Sequence, residues 1–133
     1  MEKLGEFLGW CTGICFMAAV LTYIVKRVNK RWILPLPKES PVRQLYGKVM
    51  KWVIKYHRYF GLGAAAAVAL HLAVQLTSEA PSYSGLTAAA LLLLTVLLGA
   101  VMLYGRKGKL LGVHRVAAAG GLLAFLVHLL LAG

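Results

Sequence analysis

Hydrophobic positions in this chain run in long unbroken blocks, not in the period-two alternation of a half-buried strand. Four windows, Phe7–Val25, Tyr59–Ser78, Leu86–Gly105 and Val116–Gly133, contain no Asp, Glu, Lys or Arg. Each comes close to the roughly 20 apolar residues that a helix needs to cross the hydrocarbon layer. Runs this long satisfy their backbone in lipid only as helices. The pattern predicts an all-α transmembrane four-helix bundle, one domain over residues 1–133, with spans at about 5–25, 56–77, 86–105 and 111–131. A different pattern lies between the first two spans. Pro35 and Pro37 end any continuation of the first span, and Ser40-Pro41 reads as an N-cap and first helical position. Val42, Leu45, Tyr46, Val49, Met50 and Val53 then recur at helical spacing, opposed by Arg43, Lys48, Lys51 and Lys55. The expectation is an interfacial amphipathic helix over 41–55, bending near Gly47 as it enters the second span.

Composition agrees with this picture. At 133 residues the chain is 60% hydrophobic with a mean hydropathy of +0.74, too apolar for an ordinary soluble domain. The net charge of +11 raises nucleic acid as a partner, but the charges are placed for a membrane. Lys26, Arg27, Lys30, Arg31, Lys38, Arg43, Lys48, Lys51, Lys55 and Arg58 lie between spans 1 and 2; Arg106, Lys107, Lys109 and Arg115 lie between spans 3 and 4. The remaining loop, from Thr77 to Gly85, has no basic residue and carries Glu79. The positive-inside rule puts both basic loops in the cytoplasm and both termini outside the plasma (cell inner) membrane. The start of the chain lacks a basic n-region and an A-x-A site, so the first span reads as retained. Gly5, Gly9, Gly13, Ala18 and Ala19 allow it close approach to a neighbour. Cys11 and Cys15, one turn apart within it, read as packing residues. The basic amphipathic segment suits an anionic-lipid anchor with Trp32 and Trp52 at headgroup level; its functional alternative is a docking face for an acidic electron carrier or companion subunit.

The chemistry lies in a repeated spacing. His57 and His71 are 14 residues apart, as are His114 and His128, and Arg58 and Arg115 follow the first member of each pair. Fourteen helical residues rise about 21 Å and turn about 1400°, within ~40° of whole turns, so each pair shares one helix face at two depths. Spans 2 and 4 run in the same direction, which lets His57 face His114 near the cytoplasm and His71 face His128 nearer the outside. Two opposed imidazoles are the axial ligands of a six-coordinate haem, so the pattern predicts two bis-histidine b haems. Gly61, Ala64, Ala118 and Gly121, at offsets of 4 and 7 from His57 and His114, offer room beside the cytoplasmic site or, alternatively, close helix packing. Val68 and Phe125, at offset 11, are larger and suit packing between the two levels. Arg58 and Arg115 suit a haem propionate, or simple snorkelling at the membrane edge. Lys3, Thr77, Ser78, Ser82, Tyr83 and Ser84 are the candidates for propionates outside. A dedicated zinc or copper site fits worse, since each level has two histidines with no carboxylate or cysteine nearby.

Two His-x13-His helices of parallel orientation resemble the four-helix haem core of cytochrome b from quinol-oxidising bc complexes. The His-Arg openings, in Tyr56-His57-Arg58-Tyr59-Phe60-Gly61 and Gly112-Val113-His114-Arg115, look more like the membrane domain of ferric reductases and NADPH oxidases. Gly85 and Gly99, 14 residues apart, are similar to glycines that flank haems in cytochrome b, with no clear counterpart in span 1. The resemblance implies transmembrane electron transfer as the membrane subunit of a larger oxidoreductase, with a quinone or a soluble redox protein as partner. No nucleophile, general base or nucleotide motif suggests a complete enzyme. The competing expectation is a small transporter or scaffold using the four histidines as a proton or metal path, a reading weakened by the lack of intramembrane carboxylates.

Overall fold

The computed structural model of the chain describes residues 2–78, 82–105 and 108–132. Glu79, Ala80, Pro81, Arg106 and Lys107, which the charge reading includes or borders, lie outside the described residues. Four α-helices make up the fold: α1 (Glu2–Val28), α2 (Pro41–Ser78), α3 (Tyr83–Gly105) and α4 (Leu111–Ala132). A π-helical turn, Asn29–Ile33, prolongs α1, and a short 3-10 turn, Gly108–Leu110, leads into α4. No strand occurs among the described residues. All four helices are long and apolar enough to cross a membrane.

Residues 41–55, the amphipathic segment, form the first part of α2, which runs on into the second span as one uninterrupted helix of 38 residues. At 1.5 Å per residue that is about 57 Å of helix, well beyond a hydrocarbon layer of about 30 Å. Gly47 does not interrupt it, because glycine weakens a helix by only about 1 kcal/mol without removing a backbone hydrogen bond. The segment bonds to the end of α1 and to the linker that follows it. The Tyr46 hydroxyl donates to Val25 O at 3.0 Å, and Arg43 Nη1 donates to Leu36 O at 2.6 Å. Val25, Ile33 and Val53 are buried in the same region. The start at Pro41 agrees with the sequence reading, with Gln44 N bonded to Ser40 O at 3.1 Å. At the other end, Leu34 N closes on Asn29 O at 2.9 Å, and Pro35 follows.

The helices pack mainly as neighbours in sequence, α1 on α2 and α3 on α4, with a lighter contact between α2 and α3. Phe125 of α4 closes the ring by lying on Gly13 of α1, where a Cβ would stand 2.6 Å from its Cζ. The two histidine-bearing helices therefore occupy opposite corners of the bundle. The core is a small cluster at mid-height: Phe16, Ala64, Val68, Ala89 and Leu92. Large apolar residues such as Phe7, Trp10, Ile14, Leu62, Leu97 and Leu123 face outwards instead. A helix apolar all round, with small residues inside, is the arrangement expected of a bundle surrounded by lipid. One end of the bundle carries the basic segments; the other gathers the start of α1, the end of α2, the start of α3 and the end of α4. These are called the basic end and the terminal end below.

Candidate paired-histidine sites

The repeat on α2 and α4 sets four half-buried imidazoles at two heights. At the basic end, His57 and His114 face each other with ring centroids 6.4 Å apart and planes at 83°. At the terminal end, His71 and His128 lie within electrostatic reach of each other. Ala64 and Gly121, each midway between the histidines of its own helix, belong to the layer that separates the two heights. Ala64 is fully buried in the core, and Gly121 packs on Phe16 and Leu91. Both residues thus touch side chains of neighbouring helices. Gly61 has open space around its Cα, with nothing within 4 Å of where a Cβ would stand, and Ala118 is half-buried. Val68 and Phe125 occupy the middle of the bundle, as their size suggests.

Each ring is held by a neighbouring helix through its Nδ1 atom. His57 Nδ1 donates to Ala19 O at 3.0 Å, and His71 Nδ1 to Gly5 O at 2.8 Å, both on α1. His114 Nδ1 donates to Thr95 O on α3 at 2.9 Å. His128 Nδ1 lies 3.1 Å from Ser84 Oγ and 3.5 Å from Ser82 Oγ, at the start of α3. A carbonyl oxygen only accepts, so in the first three rings a hydrogen sits on Nδ1, and in the neutral ring Nε2 then keeps its lone pair. That is the ring state of a metal-binding histidine oriented by a second partner.

Glycines supply the room for this arrangement. A Cβ at Gly99 would stand 3.4 Å from His114 Cε1, one at Gly85 3.1 Å from His128 Cε1, and one at Gly9 3.4 Å from His71 Cε1. The 14-residue spacing of Gly85 and Gly99 thus mirrors that of the histidines they touch. The counterpart on α1, absent from the sequence reading, is the pair of acceptors Gly5 and Ala19, also 14 residues apart. A backbone carbonyl carries no residue-type signature, which is why spacing on α2 and α4 alone did not reveal it.

The arginines lie where expected but are engaged with aromatic rings. Arg58 donates from Nη2 to the Tyr59 hydroxyl at 3.0 Å and sits 4.9 Å from the centre of that ring. Arg115 lies 5.6 Å from the ring centre of Tyr23 on α1. Both side chains are exposed at the basic end. Of the candidates at the other end, Ser82 and Ser84 reach His128, Thr77 bonds its own helix at Val74 O, and Lys3 and Tyr83 are exposed. The side chain of Ser78 is outside the described residues.

Among the described residues, no three His, Cys, Asp or Glu side chains come together as a dedicated metal-ion cage would require. Two opposed imidazoles suffice where four equatorial donors belong to the ligand itself. With a metal–nitrogen bond of about 2.0 Å and the ring centre roughly 1 Å beyond the nitrogen, two axial rings have centroids about 6 Å apart. The ring centroids of His57 and His114 lie 6.4 Å apart. No family model matches the chain, and neither a curated protein nor a solved structure matches it.

Proposed function

We propose that this chain carries electrons across a membrane through two b haems, one held by His57 and His114 and the other by His71 and His128. The observation that supports it best is the basic-end pair: opposed rings 6.4 Å apart, each with Nδ1 bonded to a carbonyl and Nε2 free to bind a metal. Haem would supply one-electron redox chemistry; the protein's share is to hold, orient and insulate it. The carbonyls of Ala19, Gly5 and Thr95 set the ring planes and strengthen the imidazoles as donors. Gly9, Gly85 and Gly99 keep side chains away from the rings. The apolar core around Phe16, Ala64 and Val68 lies between the two levels. Arg58 and Arg115 stand beside the basic-end level, placed to exchange their aromatic contacts for propionate carboxylates. Axial positions filled on both sides favour outer-sphere electron passage over oxygen activation.

In this reading the basic end is cytoplasmic and both termini are outside the plasma membrane, following the positive charge. The chain is then the cytochrome b-like membrane subunit of a larger oxidoreductase, exchanging electrons with a quinone or with an acidic redox protein at its basic face. Purified protein should give a reduced-minus-oxidised b-type spectrum with about two haems per chain. A preparation that is colourless after expression with ample haem would sink the proposal.

A further inference from the structure

The four imidazoles are not held alike, and the exception is His128. Its partners are hydroxyls, which donate as well as accept, whereas the partners of the other three rings are carbonyls. Ser82 caps α3: its Oγ accepts from Gly85 N–H at 3.1 Å, and its carbonyl accepts from Leu86 N–H at 3.0 Å. With that lone pair engaged, the Ser82 hydroxyl hydrogen is free to point at Ser84 Oγ, 3.3 Å away. Ser84 Oγ in turn lies 3.1 Å from His128 Nδ1. Ser82 is exposed and Ser84 half-buried, so the chain of hydroxyls leads from the ring to the surface at the terminal end.

This chain of hydroxyls can run in two directions. In one, His128 Nδ1–H donates to Ser84, and Nε2 holds a lone pair able to bind a metal. In the other, Ser82 donates to Ser84 and Ser84 donates to Nδ1, which puts the ring hydrogen on Nε2 and removes its donor lone pair. The geometry points to Ser84, seated by Ser82, as a tautomer switch for His128, the one ring of the four that, among the described residues, has no carbonyl to lock it. Ser84 is a positioning residue, acting on any bound group only through His128. The consequence for ligation rests on the haem reading: His128 is the one proposed ligand whose Nε2 lone pair would depend on the direction of a hydroxyl. The tautomer itself does not depend on that reading.

Ring-15N-labelled histidine spectra of the full chain in detergent micelles, without added haem, test the switch. His57, His71 and His114 should each show a single Nδ1–H form, and His128 averaged shifts between the two forms. Ser84→Ala should move only His128, towards the Nε2–H form, while Ser84→Thr, which keeps the hydroxyl, should restore the original averaged shifts. A His128 fixed in the Nδ1–H form, or unmoved by Ser84→Ala, overturns the inference. If His128 is averaged in a protein that takes up no haem, the electron-transfer reading falls and the switch stands. Two bound haems with a locked His128 would instead remove the switch and leave electron transfer intact.

Discussion

The two ends of the bundle carry the same pair of residues on the same two helices, yet support them differently. At the basic end, both rings lean on carbonyls within helices, Ala19 in α1 and Thr95 in α3. At the terminal end, the supports come from first turns: Gly5 in α1, and Ser82 and Ser84 at the start of α3. One motif used twice is thus held by two carbonyls at the basic end, and by one carbonyl and a pair of hydroxyls at the terminal end, and a hydroxyl can donate as well as accept. The difference comes from the helices that lack the motif.

The contrast between the ends is tested most strongly by removing the histidines one at a time. Under the haem reading, His57→Ala or His114→Ala should abolish the basic-end haem, and His71→Ala or His128→Ala the terminal-end one, each halving the haem content read from the visible spectrum. Loss of both haems from every single variant would show that the two levels are not independent. Crowding the glycines should sharpen the same division. Gly99→Val should weaken only the basic-end site, and Gly85→Val only the terminal-end site, where an added Cβ would stand 3.1 Å from the ring. Resolved electron paramagnetic resonance signals for the two haems provide the readout, and identical spectra from both variants would contradict it. A smaller change, common to both ends, is expected at mid-height. Gly13→Ala places a Cβ 2.6 Å from Phe125 Cζ, an overpacking that costs about 1–3 kcal/mol. Thermal unfolding should shift down while the ratio of the two haem signals stays constant; a changed ratio would mean that the core does not insulate one level from the other.

Much of the fold is legible in the sequence. The apolar windows give the number of helices, and Ser40-Pro41 gives the start of α2 to the residue. The start of α3 is less visible, since Ser82 caps the helix ahead of the apolar window beginning at Leu86. Arginine after histidine is also readable as a pair, but not its companions, because Tyr23 meets Arg115 only when α1 and α4 come together. Ala64 and Gly121 show the opposite problem. Small residues in register with a histidine suit either a cofactor edge or a helix contact, and only packing distinguishes them.

By itself, then, the sequence determined that the chain is helical, how many of its helices can cross a membrane, and that four histidines occupy two heights on matching faces. Those properties follow from composition and from the 3.6-residue period, both of which are local. The tertiary structure decided that α2 continues unbroken through Gly47, that α1 and α3 orient the rings, and that His128 alone rests on hydroxyls. Such choices depend on which carbonyl, glycine or serine of a distant segment packs against each ring, and a carbonyl is the same atom pair at every position in the chain.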